Sequence, residues 1–162
     1  LERKGFETMR GNVWQSDQDR LLVVPMRIGA NLVGAQLISD SGDKKFLFGQ
    51  RTNDATFTMG SGDPIFCEGY ATGLSVRTAL AALKIRRSVV VCFSAGNLLR
   101  CAKVNPKGVV IADNDESGTG ERVAKESGLK YWMSDTVGED FNDFHQRSHL
   151  FKASQAVRKL LS

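Results

Sequence analysis

The sequence predicts an α/β fold in which a parallel sheet flanked by helices is preceded by a small antiparallel β lobe. Three observations carry this reading. Short apolar runs alternate with helically spaced segments over residues 62–162. Those runs are apolar at consecutive positions, as in strands buried on both faces. Before residue 60 the apolar runs are instead separated by clusters of Gly, Asn and Asp, the pattern of a meander.

Residues 1 to about 18 show no strong period. Residues 21–26 (LLVVPM) form the first strand signal, with Pro25 arguing for a sheet edge or a strand end. Residues 32–38 (LVGAQLI) follow a Gly29-Ala30-Asn31 turn. Residues 46–48 follow Asp40-Ser41-Gly42-Asp43, and residues 52–62 read as a connector. The pattern then changes. Residues 64–67 are a short buried strand, and 71–83 carry apolar side chains at helical spacing (Leu74, Val76, Ala79, Leu80, Leu83). Strand 88–93, helix 95–104, strand 108–112, helix 119–127 stopped by Gly128, strand 129–133 and a closing helix 148–161 complete the chain. The expected organisation is a β lobe over residues 1–60 and an α/β domain over 61–162.

Bulk composition narrows the function classes. The chain has 162 residues, 41% apolar and 25% charged, as in ordinary globular domains. No apolar run approaches the length of a membrane span, and no stretch reads as a signal peptide. The first residue is Leu, so the chain is expected to be part of something longer. Cys67, Cys92 and Cys101 form no CxxC pair, which argues against structural zinc and for reduced thiols in a cytoplasmic protein. A net charge of +4 permits nucleic-acid binding without requiring it. Residues 144–162 hold Arg147, Lys152, Arg158 and Lys159 and no acidic residue, either a solvated helix face or a flank that meets phosphate.

In an open parallel sheet, ligands bind beyond the carboxyl ends of the strands. Carboxylates stand at those positions here. Glu68-Gly69 follows PIFC, Asp113-Asn114-Asp115 follows GVVIA, and Gly138-Glu139-Asp140-Phe141-Asn142-Asp143 follows the last strand. Two carboxylates as close as Asp113 and Asp115 repel each other unless a cation lies between them. Hard oxygen donors suit Mg²⁺ or Mn²⁺. Gly118 lets the next helix start close by, with its N-terminus towards an anion. Glu68 either binds metal or accepts a proton. The structural alternatives are plain: an Asp after a strand often caps the following helix, and the 138–143 segment reads equally well as an exposed acidic turn.

With these residues in place, 64–143 resembles a Toprim domain, the catalytic module shared by bacterial-type primases, topoisomerases and some nucleases. The resemblance rests on Glu68 in PIFCEGY, on Asp113 and Asp115 in VIADND, on the run Glu68-Gly69-Tyr70-Ala71-Thr72-Gly73, and on GEDFND. The last two look like the variant in phage and plasmid primases. The lobe, with LLVVPMR, LVGAQ and KKFL, resembles the segment that precedes Toprim in the primase polymerase core. A Lys found near the position of Met59 in housekeeping primases is absent, as is a zinc module.

The resemblance implies a DNA primase that makes short RNA primers on single-stranded DNA from nucleoside triphosphates, with a replicative helicase in cis or in trans. It implies Glu68, Asp113 and Asp115 as catalytic metal ligands, helped by Asp140 or Asp143. Arg27, Lys45 and Arg51, with Gly118, are the nucleotide and nucleic-acid contacts. The alternatives are a metal-dependent nuclease on the same fold and a non-catalytic single-stranded DNA-binding module. Tyr70 and Tyr131 lie in or beside strands and suit strand passage poorly.

Overall fold

The structure is a computed structural model describing residues 1–162. The chain divides into two compact units, Leu1–Phe57 and Thr58–Ser162.

The first unit is a four-stranded antiparallel sheet in chain order. Its strands are β1 (Asn12–Gln15), β2 (Arg20–Ile28), β3 (Asn31–Ser39) and β4 (Lys44–Phe46). Strand β1 carries no apolar alternation, and all four of its residues are exposed, so it had no sequence signal. Its pairing with β2 forms it. Pro25 sits inside β2, but β1 stops at the pair Asn12–Val23, so Pro25 faces no donor-hungry neighbour on that side. Opposite it, the N–H of Ala35 donates 2.8 Å to the side chain of Gln50 rather than to β2. The strand signal at 46–48 is displaced. Strand β4 ends at Phe46, and Leu47 and Phe48 are exposed. Val24 and Met26 are buried and form the lobe's apolar centre.

The second unit is a five-stranded sheet flanked by helices. In chain order it runs β5 (Phe57–Gly60), β6 (Pro64–Cys67), α1 (Tyr70–Leu83), β7 (Ser88–Val91), α2 (Ala95–Lys103), β8 (Val109–Ile111), α3 (Thr119–Ser127), β9 (Tyr131–Trp132) and α4 (Phe141–Leu161). The strand order is β5-β7-β6-β8-β9. Strands β6 and β7, β6 and β8, and β8 and β9 all pair parallel. Strand β5 lies in the expected connector: four residues of mixed exposure at a sheet edge leave little periodicity to read. Helix α4 starts at Phe141, seven residues earlier than the periodicity indicates. Its backbone breaks at His149 (φ 64°), which resets the phase of the apolar positions.

Alternation along each strand decides which helices it meets. Phe66, Val110 and Ala112 join Leu98, Ala102, Val123 and Ala124 in one core beneath α2 and α3. Cys67 and Val91 face α1, where Gly73 admits them: a Cβ there would come within 2.8 Å of Val91 Cγ2. Helix α1 packs on α4, and α2 on α3. No helix is long and apolar enough to cross a membrane.

Phe66 is 2% exposed on the central strand of this sheet. Phe66→Ala is expected to destabilise the chain by about 3–5 kcal/mol, measured as a lower urea midpoint at unchanged m-value.

Candidate metal and nucleotide site

Strand β6 comes first in the parallel series, and the chain leaves it in one direction to β7 and returns past it to β8. The carboxyl ends of β6 and β8 therefore border the topological switch point, where open α/β sheets form their crevice. Registers Ile65–Val109 and Phe66–Val110, continued two residues, set Glu68 level with Ala112, one short of Asp113. The fully buried thiol of Cys67 feels the charges of Asp113, Asp140 and Glu68. Burial first, and then those charges, push that thiol well above its ordinary pKa, so it stays protonated.

The backbone beside Glu68 is held by an unusual residue. Phe93 adopts φ 65°, a left-handed conformation that costs a bulky side chain energy, and its N–H donates 3.0 Å to the Glu68 carbonyl. The Cys92 N–H donates 2.9 Å to the Cys67 carbonyl, so the ladder between β6 and β7 runs on beneath the carboxylate. Sequence reasoning placed 88–93 in one strand and had no signal for this turn.

Asp115 works as a helix cap. Its Oδ1 accepts from the Thr119 N–H (3.2 Å) and from the Ser117 hydroxyl, and its Oδ2 accepts from the Gly120 N–H at 2.7 Å. The Ser117 and Gly120 bonds, chiefly, hold its pKa below the ordinary carboxylate range. These bonds engage both lone-pair directions of Oδ1 and one of Oδ2, leaving one direction on Oδ2 for a cation. Gly118 supplies the left-handed turn (φ 68°) before α3. The close approach itself needs Gly120, where a Cβ would lie 2.0 Å from the Asp113 carbonyl oxygen.

The 138–143 segment is a built helix start rather than an exposed turn. Asp140 caps α4, its Oδ1 accepting from the Asp143 N–H at 2.8 Å, and Asp143 Oδ2 accepts from the Asp140 N–H at 3.4 Å. Asn114 pairs with Glu139 across the β8 and β9 loops. Glu139 is buried and bound bidentately by Arg147, Nε to Oε1 at 2.7 Å and Nη2 to Oε2 at 3.0 Å, with the Ser134 hydroxyl also donating to Oε2. Arg147, expected as a possible phosphate contact, is engaged in this pair. Farther along α4, Asn142 Nδ2 donates 3.0 Å to Ser75 Oγ of α1, and His145 Nδ1 lies 3.0 Å from the same hydroxyl. Burial, and then the charge of His149, lowers the His145 pKa and keeps the ring neutral. This buried polar contact ties the helix after Glu68 to the helix after Asp140.

In the lobe, Lys45 lies opposite Leu37, which lies opposite Val23, and Val23 and Pro25 alternate onto one face of β2. Arg27 lies beyond a register shift between Met26 and Arg27, where it pairs with Leu32, so alternation does not carry the face of Lys45 on to it; both side chains are exposed. Arg27 Nη1 donates 2.8 Å to the Ala30 carbonyl. Arg51 is paired with Asp54 at 3.2 Å.

The donor set suits Mg²⁺ or Mn²⁺ in kind: hard carboxylate oxygens follow the carboxyl ends of neighbouring strands, and Asp113 Oδ1 is buried with no hydrogen bond to it. No three His, Cys, Asp or Glu side chains close around a single point as they stand. Mg²⁺ does not require this, since it commonly takes one or two carboxylates and completes its shell with water and substrate phosphate. The residues fit the ion.

No protein-family model matches the chain, and no curated protein sequence matches it. Its fold is that of the primase fragment of the bacteriophage T7 primase-helicase protein, at 18% identity and TM-score 0.65. That alignment covers 90% of this chain and 66% of the other, just under two thirds of its length. It is similarly related (17% identity, TM-score 0.63, 92% of this chain and 80% of the other) to a chain in the structure of bacteriophage T7 lagging-strand DNA polymerase interacting with primase domains of two gp4 subunits bound to an RNA/DNA hybrid and dTTP.

Two outcomes test this geometry. Gly120→Ala is expected to force α3 away from Asp113 and to destabilise the chain by about 1–3 kcal/mol, read in a urea titration beside an exposed control such as Gln155→Ala. Glu139 supplies a pH dependence. Arg147, chiefly, holds its carboxyl below the ordinary value of 4.5. The stability it contributes is complete above 4.5 and is lost as pH falls through the depressed folded value. The stability gap between wild type and Glu139→Gln is therefore expected to be widest near neutrality and to narrow in denaturation curves taken at progressively lower pH.

Proposed function

We propose that this chain is the Toprim-type polymerase core of a DNA primase, which joins ribonucleotides into short primers on single-stranded DNA. One observation carries the reading: Glu68 and Asp113 follow the carboxyl ends of two paired strands at the switch point of a sheet whose fold is that of a phage primase fragment.

In this reading Glu68, Asp113 and Asp115 hold Mg²⁺ or Mn²⁺, with Asp140 or Asp143 assisting. The bound ion supplies charge neutralisation on the triphosphate and favours ionisation of the attacking 3′ hydroxyl. The chain's own groups do the rest. Glu68, half-buried at the strand end, is the candidate to accept the proton of that hydroxyl where it is not itself bound to the ion. The N-terminus of α3, opened by Gly118 and drawn in at Gly120, gives its N–H groups to the Asp115 carboxylate and so fixes that ligand rather than meeting phosphate itself. Arg27 and Lys45, exposed cations of the lobe sheet, neutralise the phosphates of template or nucleotide, and Arg51 is a further candidate once released from Asp54. The Cys67 thiol, kept protonated, adds no charge among the carboxylates. The substrates are nucleoside triphosphates and a single-stranded template, a replicative helicase is the expected partner, and the setting is cytoplasmic.

Primer synthesis by the full-length protein decides it. With a single-stranded template, nucleoside triphosphates and Mg²⁺ or Mn²⁺, Asp113→Asn and Glu68→Gln are each expected to lower the rate by about a hundredfold or more. If Asp113→Asn/Asp115→Asn made primers as well as wild type, the assignment would be wrong. Template degradation without nucleotide incorporation would make the protein a nuclease.

A further inference from the structure

The parallel sheet has a second edge, opposite the carboxylates, which the proposed chemistry does not use. The loops entering β7, β8 and β9 lie there, with Arg86 and Arg87 before β7, Lys107 before β8 and Lys130 before β9. Helix α4 starts at the carboxyl edge and ends at this one, bringing Arg158 and Lys159. A cleft of about 350 Å³ opens between these loops, walled by Arg87, Lys107 and Lys130 and floored by Pro106, Leu129 and Leu161. Its lining contains no acidic residue. The acidic side chains on this edge are already neutralised: Asp63 pairs with Arg87 at 3.3 Å, and Glu126 with Arg122 at 3.1 Å. Lys107 and Lys130 are exposed.

Charge is therefore sorted across the domain, with carboxylates at one edge of the sheet and cations at the other. The cations also form a row. Arg87 and Asp63 neutralise each other, and strand order β7-β6-β8-β9 separates the exposed Arg86, before β7, from Lys130 by three strand spacings, roughly 14 Å, with Lys107 between them. A single phosphate would meet only one member of such a row. A chain with a regularly repeated negative charge meets all of them, and the apolar floor suits sugar and base faces.

We infer that this amino-terminal edge binds the phosphodiester backbone of a single-stranded nucleic acid, at the opposite edge of the sheet from the carboxylate site. It does not depend on the catalytic reading, because its interactions need neither metal nor nucleotide.

The test is fluorescence anisotropy of a labelled oligo-dT with the full chain in EDTA, titrated over salt, so that primer synthesis cannot contribute. Lys107→Glu/Lys130→Glu is expected to weaken binding about tenfold or more and to flatten the slope of log K against log salt by roughly 1.4, two phosphate contacts on a single strand. Lys107→Gln/Lys130→Gln is expected to give the same slope change with a smaller loss, and 4-thiothymidine in the oligonucleotide is expected to photocrosslink to wild-type residues 106–109 or 128–130. Unchanged affinity and slope in both variants, or crosslinks confined to other residues, would overturn the inference. So would equally tight binding of poly-glutamate at the same ionic strength, which would mark the edge as a seat for an acidic protein segment.

Discussion

The carboxyl edge of this molecule depends on one pairing, the parallel ladder between β6 and β8. These strands are far apart in the chain and adjacent in the sheet, with Ile65 beside Val109 and Phe66 beside Val110. That register carries Glu68 to within one residue of Asp113. It is held by side chains buried on both faces: Phe66, Val110 and Ala112 against α2 and α3, and Cys67 against α1. A slip of one residue would turn each of these to the opposite layer. The site's geometry is thus specified by core packing more than by contacts among the carboxylates, whose mutual repulsion works against it.

The same repulsion explains how the acidic groups around the site are held. Asp115 and the Asp140–Asp143 pair each sit at a helix start and accept backbone N–H groups, so the positive ends of α3 and α4 offset part of their charge. Glu139 receives an arginine instead. Capping and a candidate role in metal binding do not compete here. A carboxylate fixed by a cap keeps an acceptor direction free, and it reaches the site with its rotamer already chosen. The contact of Asn142 and His145 with Ser75 continues this logic inside the protein, locking α4 to α1 and hence Asp140 to the strand that ends in Glu68.

Much of this was legible in the residues. The four strand–helix alternations, the acidic residues at strand ends, and the stop of α3 at Gly128 all follow from spacing and turn chemistry. What escaped had no periodic signature. Strand β1 is exposed throughout, β5 is a four-residue edge, and the break at His149 put the first two turns of α4 out of phase with the rest. Gly118 was readable from its place in DNDESG, whereas Gly120 needed the position of the Asp113 carbonyl, which no local pattern encodes. Arg147 looked available for phosphate because its partner Glu139 lies two turns away, across a helix start that spacing alone did not reveal.

By itself, then, the sequence determined the fold class, the order of the elements and the acidic residues that end the strands. These are local properties, set by neighbours two to four positions away along the chain. The tertiary structure alone decided that β6 lies between β7 and β8, that Glu68 and Asp113 therefore follow the ends of paired strands, and that the cations of separate loops line up along the far edge. These are matters of which surfaces are buried together, and burial is settled by the packing of the whole domain.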